Sequence, residues 1–329
     1  MSQSIQTFPR AGLIGNPSDG FFGRTIAFTF DRFCVDLQLT SGSTVRLFDA
    51  DQVLHEFRSI SVMLDYVRCH GYPKSIGLIC ATIKRFVEAV NLGEPSGGFT
   101  LSCRCSIPYQ LGFAGSSGII IGCLKALCGH YRVVMDKPQM ANLALAIETE
   151  ELGIAGGLQD RVVQVYQGLV YMDFAQTNME QLGYGYYESL DPSSLENLYI
   201  TYRHASAESS GMFHHNLRQQ FNEKRPQMLS AVEQWRDLTW RAREMIVNHN
   251  TGKLGLLMNE NFDLRNGLYD INPDHLEMVM VARSVGASAK FTGSGGAIIG
   301  CYDDELMYQK LMAAFEPLGI EMFRPNIVS

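Results

Sequence analysis

The stretch Gly112-Phe113-Ala114-Gly115-Ser116-Ser117-Gly118 has the residue types of an anion cradle. Glycines at 112, 115 and 118 remove side chains where a backbone turns tightly and approaches something closely. The serine pair stands where a helix begins, ahead of a largely apolar segment of helical length. Its first turn offers free N–H groups and the positive end of the helix dipole, both favourable to phosphate. Pro108 lies just upstream, and residues 98–107 before it alternate as a strand does. Strand, glycine loop, serine pair and helix together read as a phosphate cradle. Read in isolation, the loop is equally a flexible turn capping a buried helix, because glycine spacing alone is a weak signal. The Walker pattern is excluded: no Gly-Lys-Ser/Thr follows, and Lys125 lies more than two turns into the helix. A dinucleotide fold is disfavoured too, since no G-x-G-x-x-G occurs there with an acidic residue ~20 positions on.

Three further segments carry groups suited to chemistry. Gly156-Gly157-Leu158-Gln159-Asp160-Arg161 sets Asp160 at the mouth of a short helix over 160–166, either as an N-cap or as a carboxylate free to meet a hydroxyl. Near the N-terminus, Pro9-Arg10-Ala11-Gly12-Leu13-Ile14-Gly15 runs into the turn cluster Asn16-Pro17-Ser18-Asp19-Gly20. Near the other end, Thr292-Gly293-Ser294-Gly295-Gly296 precedes an apolar strand over 297–301. Polar glycine clusters thus open, divide and close the chain.

The elements that position them follow from periodicity. Residues 4–14 form an apolar segment, and strands are expected over 21–30, 34–39, 44–48, 168–174 and 198–203. Helices are expected over 53–70, 76–92, 138–152, 227–248, 253–268, 273–285 and 305–318. The polar stretch 184–194 is read as turn-prone and as the boundary between two domains, 1–190 and 191–329. A loop is expected over 204–211. The adjacent His214 and His215 point to different faces of a helix and so make a poor metal pair.

Composition narrows the class. The chain has 329 residues, 46% hydrophobic and 19% charged, which suits an ordered globular protein with a large core. A net charge of −7 disfavours a nucleic-acid partner. The eight cysteines form no C-x-x-C pair and no Cys/His metal spacing, and are expected as reduced thiols. No leader opens the sequence and no apolar run reaches the ~18 residues of a membrane span. A soluble cytoplasmic protein, monomer or homodimer, is the expectation.

In their order, the clusters PRAGLIGNPSDG, PYQLGFAGSSG and TGSGG, with AGGLQDRVVQVYQGLVYMDF and NENFDLR, resemble the GHMP kinases, small-molecule kinases of galactose, homoserine, mevalonate and phosphomevalonate. The resemblance runs from Arg10 to Gly296. Two departures are visible: Pro9 joins Arg10 without the usual intervening glycine, and Gly118 replaces the alanine usual after the serine pair. The extra residue in G-F-A-G-S-S points to the uronate-using branch of the family.

The resemblance implies an α+β fold in two lobes with the active site in the cleft between them. The N-terminal lobe is then like domain 2 of a small-subunit ribosomal protein, and the C-terminal lobe ferredoxin-like. It also implies an ATP- and Mg²⁺-dependent sugar 1-kinase acting on D-glucuronate, for UDP-glucuronate salvage. On that basis Pro108 and the backbone of Gly112 to Gly118 hold the nucleotide, and Ser117 (or Ser116) meets Mg²⁺. Glu148 is the acidic Mg²⁺ partner, with Glu150 and Glu151 close in register. Asp160 orients and deprotonates the sugar hydroxyl, with Arg10 beside it, and Asp19 bonds ring hydroxyls. Gly293, Ser294, Gly295 and Gly296 close the site. A uronate also needs a guanidinium for its carboxylate, for which Arg24, Arg161, Arg203 and Arg265 are candidates and Arg161 the nearest to Asp160. The rival readings are a sibling kinase of galacturonate, galactose or a heptose phosphate, and a catalytically silent sensor on the same scaffold.

Overall fold

Proline cannot donate to a strand ladder, and Phe8-Pro9 divides the apolar segment 4–14 into two strands that enter different sheets. The computed structural model describes residues 2–49, 52–93, 97–203 and 217–328. In it β1 (Ser2–Thr7) pairs with β4 (Val35–Gly42), followed by β7 (Gly98–Cys105), β5 (Val45–Phe48) and β6 (Leu54–Phe57), in the order β1-β4-β7-β5-β6. After the proline, β2 (Arg10–Ile14) pairs with β3 (Arg24–Thr29), then β8 (Leu169–Asp173) and β9 (Tyr186–Leu190). The helices of this lobe are α1 (Ile60–His70), α2 (Gly77–Ala89), α3 (Gly115–Tyr131), α4 (Lys137–Ala146), α5 (Leu158–Tyr166) and α6 (Gln176–Leu182).

The second lobe runs through β10 (Leu198–Tyr202), α7 (Pro226–Val247), α8 (Leu254–Asn266), α9 (Pro273–Ser284), β11 (Lys290–Phe291), β12 (Ala297–Cys301), α10 (Glu305–Phe315) and β13 (Glu321–Phe323). Its antiparallel sheet has the order β11-β12-β10-β13, a ferredoxin-like arrangement. The fold is therefore α+β in two lobes. They are tied together at several points. Thr239 Oγ1 on α7 donates to the Arg24 carbonyl at 3.0 Å, and Val328 N donates to the Thr29 carbonyl at 2.9 Å.

Two expectations are corrected. Residues 53–70 are not one helix: Leu54–Phe57 pairs antiparallel with Val45–Phe48, and α1 begins only after Ser59, whose Oγ accepts from Val62 N at 3.2 Å. The pattern there has period two before it has period 3.6. The stretch 184–194 is not all turn either, because Tyr186–Leu190 completes the β2-β3-β8-β9 sheet against Leu169–Asp173. Aromatic residues suit such a pleated, half-covered edge. The loop expected over 204–211 and the His214–His215 pair lie outside the described residues.

The helix expected over 138–152 also has a break. Regular helix ends at Ala146, and Ile147–Glu151 forms a single π-helical turn. The widened turn rotates Glu148 fully into the interior, leaves Glu150 exposed against Arg85 at 3.0 Å and sets the half-buried Glu151 against Lys84 at 2.7 Å. Such turns occur often at functional sites.

Candidate active site

Arg10 is where the glycine clusters meet. Its Nε donates to Asp160 Oδ1 at 2.6 Å, and its Nη1 donates to the Gly112 carbonyl and, at 3.2 Å, to the Thr292 carbonyl. The backbone repeats the junction: Arg10 N donates to the Phe113 carbonyl at 3.2 Å and Gly12 N to the Thr292 carbonyl at 2.8 Å. Gly112 has φ +68°, and a Cβ there would also lie 3.1 Å from the Gly295 carbonyl oxygen. On the facing loop, a Cβ at Gly293 would lie 2.7 Å from the Gly112 carbonyl oxygen. The middle and last clusters touch because neither carries a side chain at the contact.

Asp160 is not an N-cap. That position belongs to Gly157, which makes no side-chain cap, and Asp160 sits in the first turn of α5 with its carboxylate turned to Arg10. Burial by itself would raise its pKa, but the charges of Arg10 and Arg161 outweigh burial and hold it below the ordinary carboxylate value. Asp19 reaches the same turn from the other side. It lies on the 3₁₀ turn Ser18–Phe21, and its Oδ2 accepts from Gln159 N at 3.3 Å. A Cβ at Gly157 would lie 1.9 Å from Asp19 Oδ2, so only glycine admits this approach. Burial, and then the charge of Asp160, push the Asp19 carboxyl up to about 6. Two carboxylates on one helix turn have thus been driven apart in pKa, a pattern characteristic of sites that divide acid and base roles.

A second cluster lies behind the serine pair. Ser116 Oγ donates to Glu148 Oε1 at 2.6 Å. Arg161 donates to Glu148 Oε2 through Nε at 2.6 Å and through Nη2, and to the Gly157 carbonyl through Nη1 at 2.6 Å. Of the two serines it is Ser116, not Ser117, that meets Glu148. Ser117 is buried and donates to the Ala114 carbonyl at 3.2 Å. Arg161, expected to face the substrate, is instead turned inward, because its side chain is 4% exposed and its fork is engaged by Glu148.

The other arginines considered for a substrate carboxylate are likewise engaged. Arg24 pairs with Asp173 at 2.7 Å and Arg203 with Glu277 at 2.7 Å. Arg265 donates to the carbonyls of Gly293 at 2.7 Å and Ser294 at 2.5 Å. Within the last loop, Gly293, Gly295 and Gly296 are buried and Ser294 is half-buried, so the loop packs against its neighbours as much as it faces the cleft. Pro108, Ala114 and Gly115 are half-buried, Gly118 faces Gln164, and the Phe113 ring packs in the core against Phe30 at 5.5 Å.

Several residues that hold the site in place were given no bracing role by the sequence. Asn261 Oδ1 accepts from Gly15 N at 2.6 Å, and Asn261 Nδ2 donates to the Asn16 carbonyl at 3.1 Å. With Arg265 on the same helix, the NENFDLR segment braces both the first and the last cluster. Lys290 is buried and donates to the Gly12 carbonyl at 2.8 Å, Asn16 Oδ1 at 2.6 Å and the Phe291 carbonyl at 2.7 Å. Gln159, beside Asp160, donates through Nε2 to Asp160 Oδ1 at 3.4 Å, and its buried Oε1 has no partner among the described residues. A polar residue next to the candidate base was the one available signal. A groove of about 840 Å³ between α7 and α8, lined by Glu233, Asp237, Glu260 and Asp263, contains none of these residues.

Residues 77–168 match the family described as GHMP kinases N terminal domain. Glucuronokinase 1 of Arabidopsis thaliana is 35% identical over 305 residues, covering 89% of this chain and 83% of its own. The chain belongs to the GHMP kinase family. Solved structures repeat the fold at low identity. The Methanococcus jannaschii mevalonate kinase superposes with a TM-score of 0.78 at 18% identity, covering 100% of this chain and 99% of its own. The Lactococcus lactis galactokinase complexed with galactose gives 0.79 at 15%, covering 100% and 94%.

This GHMP kinase is accordingly a sugar kinase, of a family that uses ATP. Among the described residues no helix is long and apolar enough to cross a membrane, and no group of three or more His, Cys, Asp or Glu side chains could hold a metal. The eight cysteines are unpaired thiols, and Cys80, Cys103, Cys123 and Cys128 are buried. A magnesium ion in a kinase needs only one or two protein oxygens beside the phosphates. The Ser116 hydroxyl and the Glu148 carboxylate, two hard donors in contact at the start of α3, fit that demand.

Proposed function

We propose that this GHMP kinase transfers the γ-phosphoryl group of ATP to the C1 hydroxyl of D-glucuronate, forming glucuronic acid 1-phosphate. The observation that carries the reading is the Arg10 junction, in which one guanidinium joins the Asp160 carboxylate to the loops of the middle and last clusters. The choice of sugar rests on the similarity to the Arabidopsis glucuronokinase across most of the chain.

In this mechanism the sugar C1 hydroxyl approaches Asp160, which accepts its proton as the oxygen bonds to the γ-phosphorus and the bond to the β-phosphate oxygen breaks. Two guanidiniums keep Asp160 ionised and thus available as a base. Arg10 lies beside the charge that develops on the moving phosphoryl group, and the N–H groups at the start of α3 cradle the phosphates. Ser116 and Glu148 would hold Mg²⁺, which would supply positive charge to the phosphate oxygens. Arg161 fixes the Glu148 carboxylate by its bidentate grip. Asp19, across the same helix turn, bonds the ring hydroxyls.

The test is a substrate panel with ATP and Mg²⁺: glucuronate, galacturonate, galactose, glucose and a heptose phosphate. Glucuronate is expected to have the highest kcat/KM, with the product phosphorylated at C1. A preference for a neutral hexose or a heptose phosphate overturns the uronate assignment.

A further inference from the structure

Resting on the uronate reading, we propose that Arg218 is the specificity-determining residue that binds the substrate carboxylate. A uronate differs from its parent hexose only at C6, where a carboxylate replaces a hydroxymethyl group, so selectivity calls for a cation with free N–H groups. Arg10, Arg161 and Arg265, which surround the reacting end, have their guanidiniums engaged by the carboxylates and carbonyls already described, and Lys290 is buried among three acceptors. These groups position the site and leave no fork for a second carboxylate.

Arg218 differs in each respect. It is exposed, and no carboxylate among the described residues pairs with it. Its guanidinium lies 5.2 Å from the Phe21 ring centroid, and its Nη2 would be 3.5 Å from a Cβ at Gly20. Gly20 and Phe21 directly follow Asp19 on the 3₁₀ turn. The guanidinium is therefore held beside the turn that presents the sugar-binding carboxylate. A guanidinium resting on an aromatic face keeps its N–H edge available for a bidentate bond to a carboxylate.

The mount is firm. Leu217 is buried, Gln220 Nε2 donates to the Leu268 carbonyl at 3.1 Å, and Phe221 packs on Phe21 with ring centroids 5.2 Å apart. The aromatic contact couples the helical turn at 217–222 to the Asp19 turn. A sugar whose C1 hydroxyl meets Asp160 and whose ring hydroxyls meet Asp19 has its remaining polar group at C6. Among the described residues, Arg218 is an exposed cation beside the Asp19 turn that can take it.

The experiment compares wild type with Arg218→Met, which keeps the aliphatic packing on Phe21, and with Arg218→Lys, on glucuronate and glucose. Loss of a charge-assisted bidentate bond is expected to raise the glucuronate KM about 10- to 100-fold in Arg218→Met. The KM for ATP and the melting temperature should hold, and Arg218→Lys should recover part of the loss. An unchanged glucuronate KM in Arg218→Met overturns this inference alone. A wild type with no preference for glucuronate over glucose overturns the uronate reading first, and the inference with it.

Discussion

The two sides of the first turn of α5 receive carboxylates under opposite conditions. On one side Asp160 sits against Arg10 and 3.7 Å from Arg161, and the paired cations keep it ionised in spite of burial. On the other, Asp19 packs against bare backbone at Gly157 and Gln159, and burial with the nearby Asp160 charge drives it up to about 6. Identical chemical groups a few residues apart in space are thereby assigned different protonation behaviour. Both carboxylates feel the charges of Arg10 and Arg161, but Arg10 hydrogen-bonds Asp160 directly, whereas at Asp19 burial and the Asp160 charge outweigh the two cations.

Removing the charge of Asp160 should have the largest effect. Asp160→Asn keeps an oxygen for Arg10 Nε but removes the proposed base, and kcat is expected to fall about 10²- to 10⁴-fold with the KM for ATP little changed. Steady-state kinetics checks this, and a variant retaining most of its kcat breaks the distinction between the two carboxylates.

Next comes the support behind Arg161. Glu148→Gln removes the carboxylate that Arg161 grips in the interior and leaves only the longer contact to Asp160 at 3.7 Å, which is expected to cost up to about 3–5 kcal/mol of unfolding free energy. Chemical denaturation measures it, with Glu150→Gln as the exposed control, expected within about 0.5 kcal/mol of wild type. Equal losses in the two variants would show that burial of the first is not what matters.

Asp19 should respond more mildly and with pH. As pH falls through about 6, wild-type Asp19 gains a proton and the KM for sugar should rise, whereas Asp19→Asn should show a KM that is already high, by about tenfold, and flat with pH. Stability should move in the opposite sense. A carboxyl with a raised folded pKa loses stability as pH rises from its unfolded value through the folded one. Asp19→Asn should therefore gain melting temperature over wild type at pH 8 and little at pH 4. A wild-type KM independent of pH between 5 and 8 would remove the contrast with Asp160.

The same asymmetry shows what could be read in advance. Arg10, Asp19 and Asp160 were named in advance because their glycine- and turn-rich segments resemble those of a known family, and that resemblance alone proposed a role for each. The sheet-forming role of Leu54–Phe57 was not legible, because four residues of alternation next to a helical pattern are resolved only by pairing with Val45–Phe48. Nor was the inward turn of Arg161 visible, since a guanidinium following Asp160 has no sequence signal for which carboxylate it will choose. Glu148 was one of three neighbouring glutamates until the π turn separated it from Glu150 and Glu151.

By itself the sequence determined the family, the order of the three glycine clusters and the residue types that chemistry would need, since these depend on local backbone demands and on side-chain identity. The tertiary structure alone decided that Ser116 rather than Ser117 meets Glu148, that Arg161 serves the interior, and that Asn261, Arg265 and Lys290 brace the loops. Those outcomes hang on contacts between residues up to 278 positions apart. Such contacts exist only once the lobes are packed, and their partners are chosen by distance and desolvation rather than by neighbours along the chain.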